Sequence, residues 1–227
     1  MASTTTRANW LVPTGLILLS FIPVLASAIR IAELSGAADV SSGDARFFAA
    51  PIPIVVHVIS GSLFSILGAF QFAPDLRRRR RGWHRAAGYL LVPLGLAAAL
   101  SALWMTGFYP LPLSDGDLLN WFRFLFGSAM VMSLALGALA LRRRDFARHG
   151  AWMTRGYAIA VGAGTQFVTL TIWTLTIGDP DVVERALLHG ASWAINLAVA
   201  EWVIRRRRRR RPSRPTRTPA PALAHST

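Results

Sequence analysis

Six apolar segments, each long enough to cross a bilayer, alternate along this chain with short connections whose charge switches sign from one to the next. The segments cover residues 10–31, 51–73, 86–108, 118–141, 152–177 and 186–204. About 20 residues, rising 1.5 Å each, span the hydrocarbon core of a membrane. Lipid offers no partner to an open backbone amide, so such segments must be helices. The expected fold class is all-α: a polytopic membrane helix bundle of six transmembrane helices, one domain over residues 1–204. Composition agrees, because 227 residues that are 53% hydrophobic, with a mean hydropathy of +0.40, are too apolar for a soluble domain. The absence of cysteine excludes disulfides, thiolate metal sites and cysteine nucleophiles.

The connections set the expected topology. Arg77, Arg78, Arg79, Arg80 and Arg81 stand between segments two and three, with Arg85 at the start of the third. Arg142, Arg143, Arg144 and Arg148 stand between four and five, Arg155 lies just beyond, and residues 205–211 form a further arginine run. The other connections hold acids: Glu33, Asp39 and Asp44; Asp115 and Asp117; Asp179, Asp181 and Glu184. The positive-inside rule puts both termini and the arginine loops in the cytoplasm. Trp10, Trp83, Trp152 and Trp202 fall at the basic ends, while Trp104, Trp121 and Trp173 fall toward the acidic ones. Anionic headgroups on the cytoplasmic side of the bilayer are the expected partners of the interfacial arginines.

Two regions carry rival readings. Ala26-Ser27-Ala28 resembles a signal-peptide cleavage site, but apolarity continues through Ile29 and Ile31, which favours a retained first helix. Residues 205–227 are arginine, proline, serine, threonine and alanine for the most part, and read as a disordered cytoplasmic tail. No aromatic or base-reading element accompanies that charge, so nucleic acid is not an expected partner. Homo-oligomerisation is compatible with such a bundle.

Polar residues inside membrane segments are the functional suspects, because each is costly unless it faces a partner or a cavity. His57 shares a helical stripe with Gly61, Phe64, Gly68 and Gln71, whose small residues let a neighbouring helix approach. His189, Trp193 and Asn196 share another stripe, and Gly162, Thr165, Gln166 and Thr169 a third. Glu201, beside Trp202 and the arginine run, reads as half of a snorkelling interfacial pair, with a proton relay as the alternative. Arg123 is placed to pair with Asp115 or Asp117, or to snorkel to the headgroups.

The histidines sort by depth, with His57 and His189 toward the acidic side and His84 and His149 at the basic boundary. Paired imidazoles at one level are how b-type cytochromes ligate haem, which makes haem b the cofactor to consider. The outer pair is the stronger candidate, since arginines surround the inner one at the water boundary. No metal-ion cluster and no catalytic motif occurs: there is no nucleophile elbow, His-Glu-x-x-His, P-loop or dinucleotide fingerprint. A non-enzymatic membrane protein is therefore the first reading. A haem-binding electron-transfer protein is the second, and a small-solute or proton transporter the third. A transporter is expected to break a helix near midplane, for which Pro93 and Gly95 are the candidates.

A resemblance rests on His57, Gly61, Gly68, Gln71-Phe72, the first arginine run, His84-Arg85, Gly88-Tyr89, Arg148-His149, Trp152-Met153, Arg155 and Tyr157. Residues 57–171 resemble a family of bacterial predicted membrane proteins, domain of unknown function 2306. Gln166 stands where the family commonly shows a late arginine in the fifth segment. The resemblance implies a multi-helix protein of the bacterial inner membrane and no particular reaction.

Overall fold

The structure, a computed structural model, describes residues 3–37, 45–112 and 114–209. Asp39, Asp44 and residues 210–227 of the expected tail lie outside them. The helices in order are α1 (Ser3–Leu34), α2 (Ala45–Ala49), α3 (Pro51–Phe70), α4 (Pro74–Arg79), α5 (Arg81–Phe108), α6 (Gly116–Arg142), α7 (Phe146–Ala160), α8 (Gly162–Thr176) and α9 (Val182–Arg209). No strand occurs among the described residues. Helices α1, α3, α5, α6 and α9 are each long and apolar enough to span, and α7 with α8 forms a sixth candidate span bent by 41°. The chain is an all-helical, multi-pass membrane protein.

The connections sort onto two faces. On the arginine-rich face, Phe70 packs edge-on against both Trp10 and Trp83, drawing α1, α3 and α5 together. Arg77, Arg78 and Arg79 lie in α4, while Arg81 and Arg85 lie in the first turns of α5. The second arginine loop is tighter. Arg144 takes a left-handed φ of 57°, and the Asp145 carboxylate accepts the Arg148 amide to cap α7. On the opposite face, the Tyr109 hydroxyl donates to Ala50 O at 2.6 Å, tying the end of α5 to the start of α3.

The bundle core lies nearer the arginine-rich face. Phe64, Leu91, Leu134 and Tyr157 are buried there, and Tyr157 packs between Phe64 and Phe72. Its hydroxyl donates to Ser65 O at 2.6 Å, and its ring fills the space a side chain at Gly68 would need. On the small stripe expected on the second segment, Gly68 thus serves to admit Tyr157.

The fifth segment departs from the expected single helix, and the break expected at Pro93 does not occur. Helix α5 runs unbroken through Pro93. The bend falls instead at Val161, where Gly164 N donates to Val161 O and the regular ladder is interrupted. Glycines flank the bend and let neighbouring elements approach it closely. A Cβ at Gly162 would meet Trp193 Nε1, and one at Gly164 would meet Leu19 O. Asn196 holds the bend from α9, accepting from Thr165 Oγ1 at 2.9 Å and donating to Ala158 O at 3.1 Å. Helix α9 also continues past residue 204 to Arg209.

Candidate functional site

Toward the arginine-poor face the bundle opens into a cavity of about 450 Å³. It reaches from Arg46 on α2 and the 109–112 loop down to Ser65, Met130 and Ala160. Small residues hollow it out, including Gly61, Ala98, Ala102, Gly127 and Ala163, while Phe64, Met130, Ile159 and Trp193 give it apolar walls. Helix α1 closes one side through Pro23 and Ser27.

His57 and His189 both line this cavity. His57 is six residues past the start of α3 and His189 seven past the start of α9. Both helices begin at the arginine-poor face, so the rings lie roughly 10 Å along their axes. Helix α3 packs on α1 and α5, and α9 on α6, α7 and α8. The rings therefore approach from helices on different sides of the bundle. His57 Nδ1 is 2.9 Å from Ala98 O, and His189 Nδ1 is 2.7 Å from Arg185 O. A carbonyl can only accept, so each neutral ring carries its proton on Nδ1 and presents Nε2 as the lone-pair nitrogen.

The other expected residues separate into roles. His84 and His149 do not line the cavity; His149 Nδ1 donates to Gly137 O at 2.9 Å, joining α7 to α6. Gln166 lines the cavity, and its Nε2 is buried without a hydrogen bond. Gln71 Nε2 is likewise buried and unbonded at the far end of α3. Asn196 is engaged in clamping the bend. Glu201 forms its ion pair across helices, with Arg155 Nε at 2.5 Å, while Arg155 also lies over the Trp152 ring. Among the interfacial arginines, Arg155 is thus an interhelical partner.

The cavity mouth carries charges that the pattern of segments did not single out. Asp115 is buried and pairs with Arg123 Nη2 at 2.7 Å and with Arg185 Nε at 3.3 Å. Arg46 lines the same mouth with its guanidinium over the Phe47 ring, and Nη1 donates to Pro110 O at 3.1 Å. Arg46 is the lone arginine of its connection, which was the available signal. Arg185 gave none, standing among Asp179, Asp181 and Glu184.

Residues 54–204 match the family described as predicted membrane protein, DUF2306. The chain belongs to that family. The DUF2306 match runs beyond the expected 57–171 and takes in α9, so it includes both cavity histidines, Asn196 and Glu201. No curated protein and no solved structure matches the chain.

Burial would raise the Asp115 carboxyl pKa, but the hydrogen bond and charge of Arg123, with the charge of Arg185, outweigh it and hold the group below the usual carboxylate range. Such a group contributes stability that is complete above its unfolded value of 3.8 and is lost as the pH falls from there through the folded value. Asp115→Asn in this DUF2306 protein is expected to cost about 2 kcal/mol at neutral pH, since it leaves two guanidiniums facing each other. Thermal unfolding in detergent checks this: the gap to wild type narrows below pH 3.8, and a gap independent of pH would show that Asp115 acts through packing alone.

Proposed function

We propose that this protein binds haem b in the arginine-poor half of the bundle, with His57 and His189 as axial ligands, and that it carries single electrons. The observation that supports the reading is that both imidazoles line one cavity while Nδ1 of each is committed to a backbone carbonyl. Metal-ligating histidines are oriented in this way, because the second-shell bond fixes the tautomer and the ring plane. The donor set fits the group. Among the described residues no three His, Cys, Asp or Glu side chains cluster, which leaves a bare ion short of ligands. A macrocycle that brings four nitrogens of its own needs only two. Haem held at both axial positions supplies one-electron chemistry and keeps no open position for a substrate. The chain's part is to hold the two rings, exclude lipid and water with Phe64, Met130, Ile159 and Trp193, and close the wall with α1.

The positive-inside rule supports an orientation with both termini in the cytoplasm and the cavity mouth on the outer side of a bacterial inner membrane. The contribution of Pro23 and Ser27 to the wall supports retention of α1 in the mature protein. Purified in detergent after expression with ample haem, the protein is expected to show a Soret band and a sharp reduced α-band of low-spin haem. A folded but colourless protein from the same preparation would overturn the reading.

One observation favours solute transport instead: the bend at Val161 lies in the cavity wall, beside Ala160, Ala163 and Gln166. Broken helices next to a polar cavity are a transporter feature. Solute flux through vesicles containing haem-free protein would favour that reading over electron transfer.

A further inference from the structure

We infer that the cavity mouth is a dicarboxylate site, and that it fixes the orientation of an amphiphilic ligand: apolar body between the histidines, two acid groups toward Arg46 and Arg123. The inference rests on the haem reading above and specifies which end of the macrocycle faces out.

The charge balance at the mouth carries it. Arg123 and Arg185 share the single carboxylate of Asp115, which neutralises one of them. Arg46 has no carboxylate partner among the described residues, and its Nε is buried without a hydrogen bond. Arg30, across the Phe47 ring, is paired with Glu33 at 2.7 Å and adds nothing to the balance. Arg46 is therefore left without a counterion at the mouth, and the Asp115 cluster keeps one net positive charge shared by Arg123, which lines the cavity, and the more exposed Arg185. A half-buried cation without a counterion is incompletely compensated, and a ligand that brings two carboxylates supplies the missing charge. Guanidinium is suited to the task, because its planar fork bonds a carboxylate at two points.

Geometry points the same way. Arg46 and Arg123 line the end of the cavity at the 109–112 loop, whereas the opposite end, at Phe64, Met130 and Ile159, holds no charge. A planar tetrapyrrole with its two propionates on one edge matches that division into an apolar body and an anionic rim. Neither a neutral quinone nor a monoanionic fatty acid balances two charges.

The test titrates haem-free protein in detergent with haem and with haem dimethyl ester, which keeps the macrocycle and removes both negative charges. Wild type is expected to bind haem at least about tenfold more tightly than the ester. Arg46→Gln is expected to weaken haem about tenfold while leaving the ester unchanged, and Arg46→Lys to recover part of the loss. Equal binding of both ligands by wild type would overturn the orientation and leave the histidine assignment standing, as would a parallel weakening of both ligands in Arg46→Gln. If wild type gives a low-spin spectrum with neither ligand, the haem reading fails and this inference with it.

Discussion

Alanine at position 57 is expected to abolish the low-spin haem spectrum without unfolding the bundle. The imidazole donates one hydrogen bond, to Ala98 O, and its loss costs about 1 kcal/mol on a helix otherwise held by α1 and α5. The effect on the cofactor is of a different order. Removing one of the two residues that would hold the haem would lose the low-spin spectrum and weaken its retention. His189→Ala is expected to do the same from the other side, and the double variant to bind no haem. His84→Ala and His149→Ala keep the spectrum, since neither ring lines the cavity. Optical spectra and haem-to-protein ratios decide the matter. Retained low-spin haem in His57→Ala, or its loss in His149→Ala, would move the ligands elsewhere.

The largest structural effect is expected at Gly164. A Cβ there would lie 2.0 Å from Leu19 O and 2.8 Å from Leu19 C. Those are backbone atoms of α1, which cannot rotate away as a side chain can. Gly164→Ala must separate α8 from α1 or straighten the bend, at a cost at or beyond the upper end of the roughly 1–3 kcal/mol typical of overpacking. Gly88→Ala is the control, since nothing lies within 4 Å of its added methyl, and alanine favours a helix over glycine by about 1 kcal/mol. Thermal unfolding in detergent is expected to separate the two clearly. A Gly164→Ala protein as stable as wild type would remove the close α1–α8 contact.

Much of the architecture was legible because membrane helices announce themselves by length and hydropathy, and connections by charge. The candidate site was half legible. His57 and His189 stood out as polar groups in apolar segments, but counting from the expected segment ends left His189 shallower than His57; the start of α9 at Val182 is what brings the two to similar depth. The bend was not legible. Pro93 carries the usual local signal for a break yet sits in a continuous helix, while Val161 carries none. The groups packed closely against it, Trp193 and Leu19, are 32 and 142 residues away in sequence. Arg46 was passed over because it sits in a connection otherwise holding acids, and its importance comes from the cavity it meets. Glu201 was read from its neighbours in sequence, and its partner, Arg155, lies 46 residues earlier.

The bend at Val161 has a consequence for traffic through the protein. Asn196 grips residues on both sides of it, through Ala158 O and Thr165 Oγ1, so it behaves as a fixed elbow rather than a hinge. The bundle is splayed on one side of the elbow and plugged on the other, where Tyr157 and Leu134 fill the centre. The cavity and the arginine-rich face are separated by that buried core, so the histidines are approached from the arginine-poor side.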